Sequence, residues 1–288
     1  MTPKEIIQEI DHLFSLPDVV LRVNELLECD KAAVSDIGEV ISNDPALTAK
    51  LLQMVNSAFY GFPAQVDSIS RAISLIGTNE IRSIVLASSA TSIFKDVSVD
   101  LIDMDSYWQR CVYCGLIAKK IASATQHSTG ETQFLTGLLH DLGKLILVIR
   151  RPSEYEQLMR ATFENGTNLI ELEKASLGFS SADLGAQLLC HWQLPESLWK
   201  PIKFQHDPKP SENYFKETLM LNLALSITNG LEPELKAGSP GDMISQLDSP
   251  AMDKLGLSED DLNLITMEAI LEALEVLNII NPDTITVV

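Results

Sequence analysis

Residues 44–61, DPALTAKLLQMVNSAFYG, carry the pattern from which the fold class follows. Asp44 is a good N-cap because its carboxylate can accept an orphan backbone N–H. Pro45 suits the first helical position, where no N–H is needed. Leu47, Leu51, Met54, Val55 and Ala58 recur at i, i+4, i+7, i+8 and i+11, which puts them on one apolar face. Gly61 and Pro63 predict a stop between Ser57 and Gly61.

The same period runs outward in both directions. Upstream, 16–27 and 33–41 read as helices split by the polar turn Cys29-Asp30-Lys31. Downstream, a helix from about Ser68 carries Ile69, Ala72, Ile73 and Ile76 to a stop at Gly77. Thr78 caps the next, which runs through Ile81, Ile84 and Val85 to about Phe94. Further helices are predicted over 107–124, 132–149, 154–163, 168–176, 181–191, 195–204, 214–228 and 259–277. Alternation with period two is confined to the tail at 284–288, so the expected fold class is all-α. Two breaks divide the chain. Lys95 to Asp105 is polar and Asp-rich, and Leu231 to Pro250 carries Pro233, Gly238, Pro240, Gly241 and Pro250. The expected organisation is therefore a packed N-terminal helical subdomain (1–97), a multi-helix core (98–230), and a breaker-rich loop with a C-terminal helix packed on that core (231–288).

The 288 residues include 21 Lys+Arg and 40 Asp+Glu, a formal net charge of −19. Phosphate backbones repel such a surface, and the densest basic patch is only Arg150-Arg151, so no nucleic-acid partner is expected. The 45% hydrophobic content excludes a disordered chain. No uninterrupted apolar run approaches the ~20 residues of a membrane helix, and MTPKEIIQEIDHLF lacks the pattern of a signal peptide. A cytoplasmic protein with no membrane partner is expected. Cys29, Cys111, Cys114 and Cys190 are too scattered for a disulfide framework. Cys111-x-x-Cys114 shares a helix face and reads as small apolar core groups, with a zinc set completed by Cys190-His191 as the alternative. His12 and His127, in polar surroundings, are expected to be exposed. Trp108, Trp192 and Trp199 are expected to be core anchors.

The sharpest local motif is Gly137-Leu138-Leu139-His140-Asp141-Leu142-Gly143-Lys144, a His-Asp pair inside an apolar run. Alone it leaves two readings open, metal ligation from a helix turned into a cleft or a hydrogen-bonded structural pair. A second candidate lies at the end of the first helix quoted, where Asn56, Ser57, Phe59 and Tyr60 offer hydrogen bonding and stacking together. They form either a capping turn or a binding surface.

With Leu16-Pro17, ISNDPALTAKLL (41–52), NSAFYG (56–61), SISRAI (68–73), Leu75-Ile76-Gly77, the segment from Gly137 to Leu145, Gly185, and Trp192-Gln193-Leu194-Pro195, the chain resembles the HDOD domain over about residues 10–230. HDOD domains are bacterial signalling relatives of the HD-type metal-dependent phosphohydrolases. The resemblance implies an HD-like helical bundle, a bacterial origin and a signalling role. It also implies the ligand pattern H…HD…D, in which His140 and Asp141 match the central pair.

The other positions depart from that pattern. Arg110 or Cys111 stands where the first His should be, and Ser181 where a downstream His should be. Gln205-His206 replaces a His-His pair, and Leu225 replaces the last Asp. His140, Asp141 and His206 thus form a vestigial or alternative metal site, with Arg110 and Lys144 as cleft cations. No catalytic residue and no cofactor is expected; Mg, Mn, Fe or Zn enters only if a reorganised site still works as a phosphohydrolase. The expected function is a non-catalytic signalling module that binds a partner protein or a small ligand. A phosphohydrolase is the first alternative. A nucleotide-binding regulator without hydrolysis is the second, with Lys144, Arg110 and His140 facing the phosphate. Asp141, behind an apolar run, needs a partner to stay ionised, and Arg110 is the expected cation.

Overall fold

The structure, a computed structural model, describes residues 2–10, 14–28, 33–57, 59–94, 101–128, 130–231 and 250–280. His12, Cys29, Ala58, most of the breaker-rich segment and the tail at 284–288 lie outside the described residues. The chain is all-α: the described residues contain helices and no strand. Packing groups Met1–Leu13 with Ser98–Met267, and Phe14–Val97 with Glu268–Val288. This grouping follows contact rather than chain order, and so differs from the three consecutive parts expected above.

The unit built mainly from Phe14–Val97 contains α2 (Asp18–Glu28), α3 (Val34–Ser42), α4 (Pro45–Val55), α5 (Ile69–Ile76) and α6 (Thr78–Ile93). Asp44 caps α4, its Oδ1 accepting from the Leu47 N–H at 3.0 Å. Helix α6 packs against α2, α4 and α5 and is buried on nearly every side from Ile81 to Thr91. A helix surrounded in this way has no solvent-facing polar stripe; its buried polar side chains, Ser83, Ser88, Ser89 and Thr91, are small hydroxyls spread among the apolar ones.

The larger unit begins with α1 (Pro3–Ile10), which the sequence reading passed over. It is short, but Ile6, Ile7 and Ile10 share one buried face, and the helix packs on α12 (Ser181–His191). The rest comprises α7 (Met104–Ala124), α8 (Glu131–Leu139), α9 (Leu142–Arg150), α10 (Pro152–Asn165), α11 (Leu169–Leu177), α13 (Glu196–Lys203), α14 (Phe215–Gly230) and α15 (Pro250–Leu255). A last helix, α16, covers Glu259–Ile280.

One helix was expected over 132–149, and the structure breaks it in two. Asp141 has φ −107° and ψ 8°, outside the helical well, and its carbonyl accepts the N–H groups of Lys144 and Leu145 to start a new turn. By length and composition Glu131–Arg150 could cross a membrane, yet 78% of its most apolar window is buried inside the protein.

Two backbone contacts fix this segment. Helix α7 pairs closely with α8 where Gly137 meets Gly115; a Cβ on Gly137 would lie 2.5 Å from the Gly115 Cα. Helix α9 meets α12 where Gly143 faces Gly185; a Cβ on Gly143 would lie 1.9 Å from the Ser181 carbonyl oxygen. Helix axes can approach this closely only where neither residue has a side chain. The His140-Asp141 break lies between the two crossings and is held from both sides.

Candidate functional site

A cavity of about 100 Å³ opens at the break, lined by Arg110 of α7, His140, Asp141, Gln205, His206, and Asn222, Leu225, Ser226 and Asn229 along α14. The fold thus brings together His140, Asp141, His206 and Arg110, four of the residues singled out in the sequence. The α14 residues stand at i, i+3, i+4 and i+7, one helix face. Asn222, Ser226 and Asn229 at that spacing, in the mostly apolar stretch from Leu219 to Ile227 and just beyond it, are a legible signal that the sequence reading passed over.

His140 is 3% exposed. Its Nδ1 lies 2.6 Å from the Gly137 carbonyl oxygen, which can only accept, so Nδ1 carries the proton. Nε2 is then a lone pair, buried and without a hydrogen-bond partner. Burial pushes the imidazole down to about 4, helped by Arg110 and His206 and opposed by Asp141 and the Gly137 carbonyl. Gln205, 2% exposed, donates from Nε2 to the His140 carbonyl oxygen at 3.1 Å, which fixes its amide orientation. Its Oε1 is also buried without a partner. Asn222 Nδ2 holds the Gln205 carbonyl oxygen at 2.7 Å, and Arg110 Nη2 donates to Asn229 Oδ1 at 2.6 Å.

Asp141 forms its ion pair one turn on: Lys144 Nζ lies 3.8 Å from Oδ2. Burial raises this carboxyl, but Lys144, His140, Arg110 and His206 together hold it below the ordinary carboxylate value. Arg110, the cation expected to partner Asp141, contributes to this field from the cavity wall. His206 sits at the rim, exposed. Desolvation by the surrounding walls lowers its ring, Lys174 and Arg110 lower it further, and Asp141 opposes them.

The remaining positions are used otherwise. Ser181 turns away from the cavity: its N–H and Oγ both donate to Glu173 Oε2, at 2.6 and 2.9 Å. Cys111 and Cys114 are fully buried, and burial pushes both thiols up, Cys114 to about 12. Exposed Cys190 and half-buried Trp199 line a separate cavity of about 500 Å³, whereas Trp108 and Trp192 are core. His127, expected to be exposed, is half-buried, with Nε2 2.8 Å from Glu217 Oε1. Asn56 behaves as a piece of backbone, bonding both the N–H and the carbonyl of Val66. Ser57 donates to the Met54 carbonyl, and the Tyr60 hydroxyl donates to Glu80. Phe59 and Phe62 contact the Tyr60 ring, so this candidate surface is in large part an internally bonded turn.

The family pattern implies one or two divalent ions held by several His and Asp side chains. Among the described residues no group of three or more His, Cys, Asp or Glu side chains could hold a metal ion. Arg110 and Leu225 line the cavity, and neither side chain can ligate a cation. This donor set does not fit a divalent ion, which needs about three protein ligands and is opposed by a fixed cation.

His140 also predicts an acid weakness. A histidine whose folded pKa is depressed stabilises the fold fully above its unfolded value, 6.5, and loses that contribution as pH falls towards about 4. The loss is on the order of 3 kcal/mol across that window. Asp141, with a lowered carboxylate pKa, loses its own contribution only at lower pH. Urea melts at pH 7 and 4.5 should therefore show a steeper pH dependence for the parent than for His140→Gln. Equal slopes would remove this account.

A helical bundle with His140 and Asp141 at a helix break facing polar residues of α14 defines an HD-like protein. The HDOD domain pattern matches residues 13–208, and the chain belongs to the HDOD domain family. It is similar to an uncharacterised protein of Treponema pallidum (strain Nichols), 26% identical over 233 residues; the match covers 79% of this chain and less than half, 45%, of that protein's length. Among solved structures it resembles a presumed phosphohydrolase from Shewanella amazonensis SB2B, with TM-score 0.76, 25% identity, and coverage of 96% of this chain and 97% of that one. An HDOD domain protein of unknown function from Geobacter sulfurreducens superposes with TM-score 0.72 at 20% identity, covering 99% and 98% of the two chains.

Proposed function

We propose that this HDOD protein is a non-catalytic signal-transduction module of the bacterial cytoplasm, with a degenerate HD site, that acts by binding a partner protein or a small polar ligand. The observation that carries this reading is Arg110. A permanent cation lines the same cavity as His140, and by the resemblance either it or its neighbour Cys111 stands at the position of the first metal ligand. Only His140, Asp141 and His206 remain as donors, and Asp141 already pairs with Lys144. That pairing also weakens the phosphate-binding alternative, because Lys144 was its expected cation. The acidic chain, at −19, supports neither a nucleic-acid nor a membrane partner.

One observation favours the phosphohydrolase reading: His140 presents an open ring nitrogen, as a metal ligand does, and the Shewanella amazonensis relative is presumed to be such an enzyme. Two measurements decide. Protein purified without chelator should carry much less than one equivalent of Fe, Mn, Ni or Zn. Hydrolysis of a generic phosphoester or of cyclic dinucleotides should stay at background with added Mn or Mg, although a competent metal contributes several kcal/mol of transition-state stabilisation. Near-stoichiometric metal lost on His140→Ala, or turnover that disappears in Asp141→Ala, would restore the enzyme.

A further inference from the structure

Two residues that line one small cavity each carry a buried acceptor, and together these acceptors define what the site would bind. The carbonyls of Gly137 and His140 fix both orientations: His140 Nδ1 and Gln205 Nε2 must donate, which leaves His140 Nε2 and Gln205 Oε1 as acceptors. Neither has a hydrogen-bond partner, and the residues are 3% and 2% exposed. An unmet buried acceptor costs free energy, so a group that supplies donors gains by occupying the site. The cavity, about 100 Å³, has room for about three water-sized units, given ~30 Å³ for each. Arg110 on the wall adds a donor. A bare anion would satisfy Arg110 but set its oxygens against both acceptors. A simple cation would meet Arg110 head on.

We infer that this cavity is a recognition site for an amide edge, its N–H side turned to His140 Nε2 and Gln205 Oε1 (a primary amide supplies one hydrogen to each, a lactam or imide a single hydrogen to one of them) and its carbonyl side turned to Arg110. The inference rests on the ligand-binding form of the proposed function and names the ligand's chemistry. Asp141, ion-paired with Lys144, and His206 at the rim complete the polar wall without competing for the same donor. The misfit to metal then has a positive counterpart. The chain has exchanged ligands for an ion for a set of groups complementary to a neutral, donor-bearing head group.

Acetamide and acetate, which have the same shape, provide the test on the full chain. Acetamide should bind with a millimolar Kd, as expected for so few atoms. On binding it should move the His140 Nε2 nitrogen resonance upfield, the response of an acceptor nitrogen to a new hydrogen bond. Acetate should leave that resonance in place. Gln205→Met should weaken acetamide about tenfold, as loss of one buried acceptor predicts. If that variant misfolds, the resonance shift in the parent protein decides alone. Uridine and L-glutamine then distinguish sources, a nucleobase imide or a carboxamide side chain; tighter binding of either than of acetamide supports the inference. It is overturned if acetate binds as well as acetamide, or if saturating acetamide leaves His140 Nε2 unmoved. Should hydrolysis stay at background in that case, the non-catalytic reading stands while this one falls; metal-dependent turnover would remove the reading itself.

Discussion

Gly143→Ala is expected to destabilise the protein by about 3 kcal/mol or more, a fall in Tm of roughly 10 °C for a chain of this size. The added Cβ would sit 1.9 Å from the Ser181 carbonyl oxygen and 2.4 Å from the Gly185 amide nitrogen. Both are backbone atoms of α12, so no side chain can rotate away, and α9 and α12 must separate instead. Separation exposes core around Leu142, Leu145 and Ile146 and displaces Asp141, two residues before the contact. Gly178→Ala is the control. Gly178 has φ +84°, with nothing within 4 Å of an added Cβ, so it meets only the left-handed backbone cost of about 1–2 kcal/mol. Thermal melts followed by circular dichroism should separate the two variants clearly. If they melt together, the close crossing of α9 on α12 is wrong.

Glu173→Ala should be nearly as damaging, at roughly 3–5 kcal/mol. Glu173 is 0% exposed and accepts three hydrogen bonds, from the Tyr155 hydroxyl at 2.6 Å and from Ser181 N–H and Oγ. Truncation leaves the Tyr155 hydroxyl and the Ser181 N–H buried and unpaired, each costing about 1–3 kcal/mol, and adds a cavity. Glu173→Gln keeps the shape and part of the accepting capacity, so it should lose less. Tyr155→Phe removes one donor cleanly and should lose less again. The double variant should be less harmful than the sum of Glu173→Ala and Tyr155→Phe, because both break one network. A Glu173→Ala protein as stable as a typical surface substitution, within about 0.5 kcal/mol, is the outcome that would discard this network. The network also explains why Ser181 is not a ligand: its polar atoms hold α12 to α11, away from the cavity.

Helices were legible because their determinants are local. Asp44, Pro45 and the apolar spacing from Leu47 to Val55 lie within twelve residues, and the cap forms as that spacing requires. The short α1 was less legible than α5, of the same length, because no glycine stop follows it as Gly77 follows α5, although its three isoleucines all turn inward. Within the site, the segment from Gly137 to Lys144 announced itself as a polar pair in an apolar run. The α14 face of Asn222, Ser226 and Asn229 did not, because each residue alone is unremarkable and only their common spacing is informative.

The sequence by itself therefore determined the all-α class, most helix positions and the family. Only the tertiary structure decided the break at Asp141, its pairing with Lys144, the diversion of Ser181 to Glu173, and the ring nitrogen that His140 leaves open. The physical reason is range. Periodicity and capping are settled over three or four residues. Which polar atom stays unmet in the core depends on groups such as Gln205 and His140, 65 residues apart along the chain and bonded only once the helices have packed.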